Sequence, residues 1–327
     1  MNPERPSAAR INPQQLIDAL VAQYGLYVRG LVRMRTVYGI VADTHERFVW
    51  KCVHPEAVVP ASERLTVQRQ VCDAMAGMGI AAAGPVRNAR GDWLTYLPDG
   101  TVGYLQPWLS GRALMASNKS ERLRAVAVLG VLHRVVRVLR LSPRPLLQRQ
   151  PLPEKLTWKR AFLEQLFERP DCPIPASERA QLLMAAERAR ASLADVRLWQ
   201  YCHRDAAPHN FLVQPNGAVA VIDFDESGWD HPWIDIMQCI NHGLHFAEPA
   251  AGDFRDAVTV YLRNSGGVRE DGQRLYALFG FPELLVRAGA AWLRQPNART
   301  ARQLRRAFHL ERWRRRILEV DAVDDAP

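Results

Sequence analysis

Asp205, Asn210 and Asp223 are the residues whose types and spacing suit chemistry. They stand in His203-Arg204-Asp205-Ala206-Ala207-Pro208-His209-Asn210 and in Val221-Ile222-Asp223-Phe224-Asp225. Between them, Phe211–Gln214 and Ala218–Ile222 read as two strands joined through Pro215-Asn216-Gly217. Asn-Gly favours a two-residue hairpin turn because both centres tolerate positive φ. With Asn216 and Gly217 as that turn, Gln214 faces Val219, Phe211 faces Ile222 and Asn210 faces Asp223. Directly opposed residues have Cβ atoms about 4.5–5.5 Å apart, close enough for an amide and a carboxylate oxygen to converge on one Mg²⁺. Asp205, on the loop entering the hairpin, is a second carboxylate, placed to take a proton from a substrate hydroxyl. Phosphoryl transfer asks for such parts: an orienting base, metal ligands, and a cation for the phosphates.

The elements that must position this hairpin follow from periodicity. Asn12 before Pro13 starts a leading helix that Gly25 closes. Three β-rich runs follow, Tyr27–Val32, Val37–Ala42 and Phe48–Val53. Ser62 is expected to cap a helix that turns Leu65, Val71, Met75 and Met78 inward and ends at Gly79. Trp93–Tyr96 and Val102–Leu105 are further β-like runs. After Gly111 the period becomes helical, over Lys119–Leu139, Leu156–Glu168, Ala176–Ala194, Asp253–Arg263, Pro282–Leu293 and Ala301–Val320. The hairpin is the one strand pair expected within that helical portion, and the proline- and arginine-rich Ser142–Pro153 reads as a loop. The fold class is therefore α+β and bilobal: a leading helix over 1–26, a small β-rich N-lobe over 27–108, and a larger helical C-lobe over 109–327.

Bulk properties narrow the setting. Of 327 residues, 48% are hydrophobic, enough for a substantial core. The polar, proline-broken Met1–Arg10 is no signal peptide, and His133, Arg134 and Arg137 interrupt the most apolar helix, so no membrane span is expected. Five scattered cysteines without a CxxC pair fit a reducing cytoplasm. His209, His231, His242 and His245 lack the spacing of a four-coordinate zinc site. The net charge of +9 fits an anionic partner such as a nucleotide. Much of it comes from Arg299, Arg302, Arg305, Arg306, Arg312, Arg314, Arg315 and Arg316, which read as a solvated basic helix face and not as a nucleic-acid surface.

The ordered set His203-Arg204-Asp205, Asn210, Asp223-Phe224-Asp225 matches the catalytic-loop and metal-loop signatures of protein-kinase-like phosphotransferases. Together with Asp230-His231-Pro232-Trp233-Ile234-Asp235 and Phe279-Gly280-Phe281-Pro282-Glu283, it resembles the aminoglycoside phosphotransferase and choline kinase superfamily, especially its spore-coat protein S (CotS) branch. The resemblance extends from about Tyr27 to Ile317 and implies a protein-kinase-like bilobal fold. It implies that Lys51, in Phe48-Val49-Trp50-Lys51, binds nucleotide phosphates. It also implies that Gln106-Pro107-Trp108-Leu109 is the interlobe hinge, with Gln106 and Trp108 beside the adenine.

Two departures mark this chain. No G-x-G-x-x-G loop lies between Tyr27 and Ile40; Arg33-Met34-Arg35-Thr36 stands there instead. The helix that offers a glutamate to the lysine in such proteins has Gln68 and Gln70 centrally, which leaves Glu63 as the nearest carboxylate. Asp225 is open between a second metal ligand and a solvated loop residue, and Asp235 is expected to brace the catalytic loop. The stretch from Asp223 to Asp235 is too short for a regulated activation segment, and no Ala-Pro-Glu follows.

The expectation is a phosphotransferase using Mg²⁺ and ATP or GTP on a small hydroxyl compound, with Asp205 orienting the acceptor, Asn210 and Asp223 on the metal and Lys51 on the phosphates. The alternative is a catalytically weak or inactive pseudokinase, a scaffold or binding protein with spore-coat partners. The expected location is cytoplasmic under the first reading and the spore coat under the second.

Overall fold

The computed structural model describes residues 11–34, 37–148, 150–194, 198–244 and 248–323. The lead Met1–Arg10, Arg35 and Thr36 of the arginine stretch, and His245 lie outside the described residues. Asn12 caps α1 (Pro13–Tyr24) by accepting from Gln14 N, and Gly25 closes it in the left-handed region. Strands β1 (Val28–Met34), β2 (Val37–Ala42) and β3 (Arg47–Val53) form a meander, α2 (Val58–Ala76) follows, and β4 (Thr95–Tyr96) and β5 (Val102–Pro107) complete an antiparallel sheet ordered β1-β2-β3-β5-β4. The helix starts four residues before the expected Ser62 cap. A 3-10 turn at Pro55–Ala57 leads into it, and Pro60 is tolerated in its first turn, where no intrahelical donor is needed.

After β6 (Arg112–Ala113), α3 (Lys119–Leu139) runs as the period indicates, α4 (Leu152–Glu168) starts four residues before the expected Leu156, within the stretch read as a loop, and α5 (Ala176–Ala191) ends three residues before the expected Ala194. Then come β7 (Gln200–Cys202), β8 (Phe211–Val213), β9 (Val219–Val221) and β10 (Gly228–Asp230), followed by α6 (Trp233–Leu244), α7 (Asp253–Ser265), α8 (Arg269–Phe279), α9 (Glu283–Arg294) and α10 (Ala298–Val323). The hairpin is not the lone strand pair here: β7 pairs with β10, and β6 joins β8. A small sheet lobe thus precedes a larger helical one, in a kinase-like arrangement.

α3 is the central post of the helical lobe, with Leu129, Leu132 and Ala125 wholly buried. Full burial of such leucines contributes about 1.5–3 kcal/mol each. It lies against α7 at Gly130, where an added Cβ would sit 2.8 Å from Asn264 Cβ and 3.0 Å from the Tyr261 carbonyl. Any larger residue would force the two helices apart. The C-terminal basic run is not a uniformly solvated face. Arg302, Arg305, Arg306 and Arg316 are exposed, but Arg314 is buried against Glu311, the Phe281 carbonyl and, at 2.6 Å, Asn241 Oδ1. Among the described residues no helix is long and apolar enough to cross a membrane.

Candidate active site

The loop after β7 is held from beneath by one buried carboxylate. Asp235, in the first turn of α6, accepts from His203 N (2.8 Å), Arg204 N (2.6 Å) and His133 Nε2 (3.0 Å). Burial disfavours its charge, but the His133 hydrogen bond and these contacts hold it below the usual carboxylate range. Gln238, one turn on, donates to the Arg204 carbonyl (2.7 Å) and accepts from Ala206 N (3.1 Å). His203 Nδ1 accepts from Asp205 N (3.3 Å), which leaves Nε2 to donate to the Ile222 carbonyl (2.9 Å). The imidazole therefore packs this loop onto the end of β9. Arg204 sits at φ 66°, a left-handed conformation costly for a side chain of its size. Its guanidinium lies 3.1 Å from buried Asp230. Asp205 leaves this clamp with its carboxylate tied to Asn210, whose Nδ2 donates to the Asp205 carbonyl (2.8 Å) and to Oδ2 (3.1 Å).

The β8–β9 hairpin differs from the expected register by one residue. Phe211 faces Val221, and Val213 faces Val219. Gly217 N donates to the Gln214 carbonyl (2.9 Å), Gln214 N donates to the Ala218 carbonyl (2.9 Å), and Gly217 is at φ 80°. The loop is therefore three residues, Pro215-Asn216-Gly217, a turn with Pro at its second position and a left-handed Gly at its fourth. Asn210 consequently lies opposite Ile222, whose N donates to the Asn210 carbonyl at 3.0 Å, and Asp223 falls one step beyond. Asp223 itself is at φ 64°, so the chain swings sharply there as it enters the 3-10 turn Phe224–Glu226.

That swing brings Asp223 and Asp225 to the sheet lobe. Lys51, buried on β3, places Nζ 2.7 Å from Asp223 Oδ1 and 3.1 Å from Asp225 Oδ2. Burial alone would strip its charge, but Asp225, Tyr104 and Asp223 outweigh that and hold the ammonium above the ordinary lysine range. Asp225 also accepts from Tyr104 Oη (2.6 Å) on β5 and lies 3.3 Å from Arg64 Nη1 on α2, a nitrogen that also donates to the Asp225 carbonyl. Burial opposes the Asp225 charge as well, yet Lys51 and Arg64 hold its carboxyl well below the usual range. Asp225 is therefore an ion-paired residue and not a free loop carboxylate, although its side chain is 36% exposed. The expectation that Glu63 partners Lys51 is not met either: the lysine's carboxylates come from the helical lobe. Gln68 is buried and donates to the Ala83 carbonyl (2.7 Å).

Gln106 is buried on β5 opposite Val49, two positions from Lys51, and Trp108 N donates to the Arg47 carbonyl (2.9 Å) as the chain leaves the sheet. The Trp108 indole, 37% exposed, reaches back over Gly39 of β2. The structure thus joins Lys51 to Asp223 and Asp205 to Asn210, with Gln106 and Trp108 on the adjoining edge of the sheet. Sequence reading missed Arg64 and Tyr104; the signal available was a cation and a phenol at positions the periodicity turns inward.

Asp223 uses Oδ1 for Lys51, and Asn210 uses Nδ2 for Asp205, so a carboxylate and an amide oxygen remain as donors at the mouth of the hairpin. All-oxygen donors of this kind suit a hard divalent cation such as Mg²⁺. A different trio, His133, Cys202 and Asp235, also has ligand atoms within 4.8 Å of one another. There His133 is engaged on both nitrogens by Tyr261 and Asp235, and burial pushes the Cys202 thiol far up, so the trio is a hydrogen-bonded core.

A profile described as the phosphotransferase enzyme family matches residues 35–278. No curated protein sequence matches the chain. Among solved structures, an aminoglycoside phosphotransferase from Alicyclobacillus acidocaldarius superposes with a TM-score of 0.76 at 15% identity, covering 98% of each chain. A microcompartment-associated aminopropanol kinase gives 0.63 at 16% identity, over 95% of this chain and 98% of its own. An amicoumacin kinase in complex with AMP-PNP, Ca²⁺ and Ami gives 0.61 at 18% identity, over 95% and 94%. These likenesses establish the fold.

Proposed function

This chain belongs to the phosphotransferase enzyme family, and from that premise we propose that it transfers the γ-phosphoryl group of ATP or GTP, with Mg²⁺, to a hydroxyl of a small molecule. The observation that carries the reading is the ion pair of Lys51 with Asp223 across the lobes, beside the joined Asp205–Asn210 pair. Lys51 is the phosphate cation. Asn210 and Asp223 are the metal ligands, and a bound Mg²⁺ would neutralise charge on the phosphates. Asp205 orients the acceptor hydroxyl and takes its proton. Gln106 and Trp108 line the nucleotide base. Residues 27–108 form the nucleotide side and 109–327 the acceptor side. A small acceptor is supported by the solved structures of similar fold, which include kinases named for aminopropanol and amicoumacin.

The test is incubation of the protein with Mg²⁺, labelled ATP and a pool of cell metabolites, followed by mass spectrometry of labelled products. A labelled product formed by the parent and abolished in Asp223→Ala is expected. Tight Mg-nucleotide binding with no product from any pool would replace this reading with a scaffold or binding protein, the role that resemblance to spore-coat CotS-type proteins implies.

A further inference from the structure

We propose that Arg64 is a positioning residue that couples α2 to the phosphate-binding lysine through Asp225, in a chain of alternating charge, and so keeps Asp225 off the metal. The proposal rests on the reading of Lys51 and Asp223 given above. The usual device in such folds is a helix glutamate paired directly with the lysine. Here the centre of α2 carries Gln68, which is spent on the Ala83 carbonyl. One helical turn earlier, on the same face, stands Arg64.

A guanidinium cannot pair with an ammonium, so an anion must stand between them. Asp225 does so, with Arg64 on one side and Lys51 at 3.1 Å on the other. Both its oxygens are committed: Oδ1 to Tyr104 and Arg64, Oδ2 to Lys51. Asp223, by contrast, meets Lys51 through Oδ1 alone, which leaves it as the carboxylate with an oxygen to give a cation.

The energetics favour a positioning role over a packing one. The Arg64 side chain is 11% exposed and its Nε is buried without a hydrogen-bond partner. A buried charge of that kind is disfavoured unless paired, and an apolar residue would fill the space without that cost. Arg64 also grips the backbone carbonyl of Asp225, so it fixes the 3-10 turn at Phe224–Glu226 as well as its charge. Displacing α2 therefore drags this turn and, through it, Lys51.

The test is calorimetric binding of Mg·AMP-PNP, which needs no acceptor, with thermal unfolding followed in parallel. Arg64→Met and Asp225→Asn should each weaken binding roughly tenfold or more, the scale of a hydrogen bond to a charged group. Arg64→Lys should restore most of the loss. The double variant should bind no more weakly than the worse single one, because both changes break the same link. A purely structural arginine would lower the unfolding temperature and leave a double variant additive in affinity. Parent-like affinity in Arg64→Met, or additivity, overturns the proposal. If Arg64→Met does not fold, Arg64→Gln takes its place in the cycle. If the parent itself fails to bind Mg·nucleotide, the proposed function falls instead. The tie is then decided by hydrogen exchange, where unchanged protection of residues 224–226 in the variant overturns it.

Discussion

At the scale of single residues, Asp205 and Asp223 are two carboxylates with different partners. Asp223 faces a buried lysine, whereas Asp205 faces the amide of Asn210 and the loop edge. Asp205→Asn retains the size and an acceptor oxygen for Asn210 but removes the negative charge and most of the proton affinity. Mg·ATP affinity measured by calorimetry is expected to stay within a few-fold of the parent, while phosphate transfer to the identified acceptor falls at least ~10²-fold. A parallel loss of binding and transfer would instead assign Asp205 to the nucleotide. Asp205, Asn210 and Asp223 stood out in the sequence by type and order, and Lys51 by the family resemblance; the structure pairs Asp205 with Asn210 and Lys51 with Asp223. Arg64, Tyr104 and the engagement of Asp225 were not legible. Arg64 and Asp225 are 161 residues apart, and they meet only because α2 of one lobe is laid against a turn of the other.

At the scale of elements, the hairpin shows how much rests on a turn. Asn-Gly suggested a two-residue loop, but Pro215 favours the second position of a four-residue turn that begins at Gln214, and this adds one residue to the loop. Gly217, at φ 80°, is then the residue that needs left-handed freedom. Gly217→Ala should destabilise the protein by about 1 kcal/mol, read by urea unfolding, and an unchanged midpoint would refute the three-residue turn. α3 was read to both its ends because Asn118 caps it and its apolar face is regular. α6 was not read although Trp233, Ile236, Met237 and Ile240 recur at helical spacing, because it is only 12 residues long and follows directly on Pro232. The strands β7 and β10 are three residues each and buried throughout, so their alternation has no polar side to display.

At the scale of the whole molecule, the two-lobed plan was legible from the switch of period near Gly111, while the joints between its parts were not. One such joint, between β10 and α6, holds a buried histidine that should make stability depend on pH. His231 is buried, with Nδ1 accepting from Trp233 N (3.3 Å) and Nε2 unpartnered. Burial, then the nearby His133 and Arg274, push it down to about 3. A histidine depressed in the folded state contributes stability that is fully present above its unfolded value of 6.5 and is lost as pH falls toward 3. The unfolding free energy should therefore decline through that window by up to about 1.4 kcal/mol per pH unit. His231→Gln should flatten the decline between pH 6.5 and 4.5, and equal slopes in parent and variant would remove His231 as its source. A second joint lies where the segment after α2 meets β9: Val221 N donates to the Ala81 carbonyl (2.9 Å), and Ala83 N donates to the Val221 carbonyl (3.0 Å). The sheet lobe is thus attached to the helical one at several places: this seam, the ion pairs of Lys51 and Arg64 with the Asp223–Asp225 turn, the packing of Val71 and Met75 in the helical core, and the covalent crossing after Pro107. A panel fastened at so many places hangs on no single pin. Loosening one of them should leave the others to keep the two lobes in register.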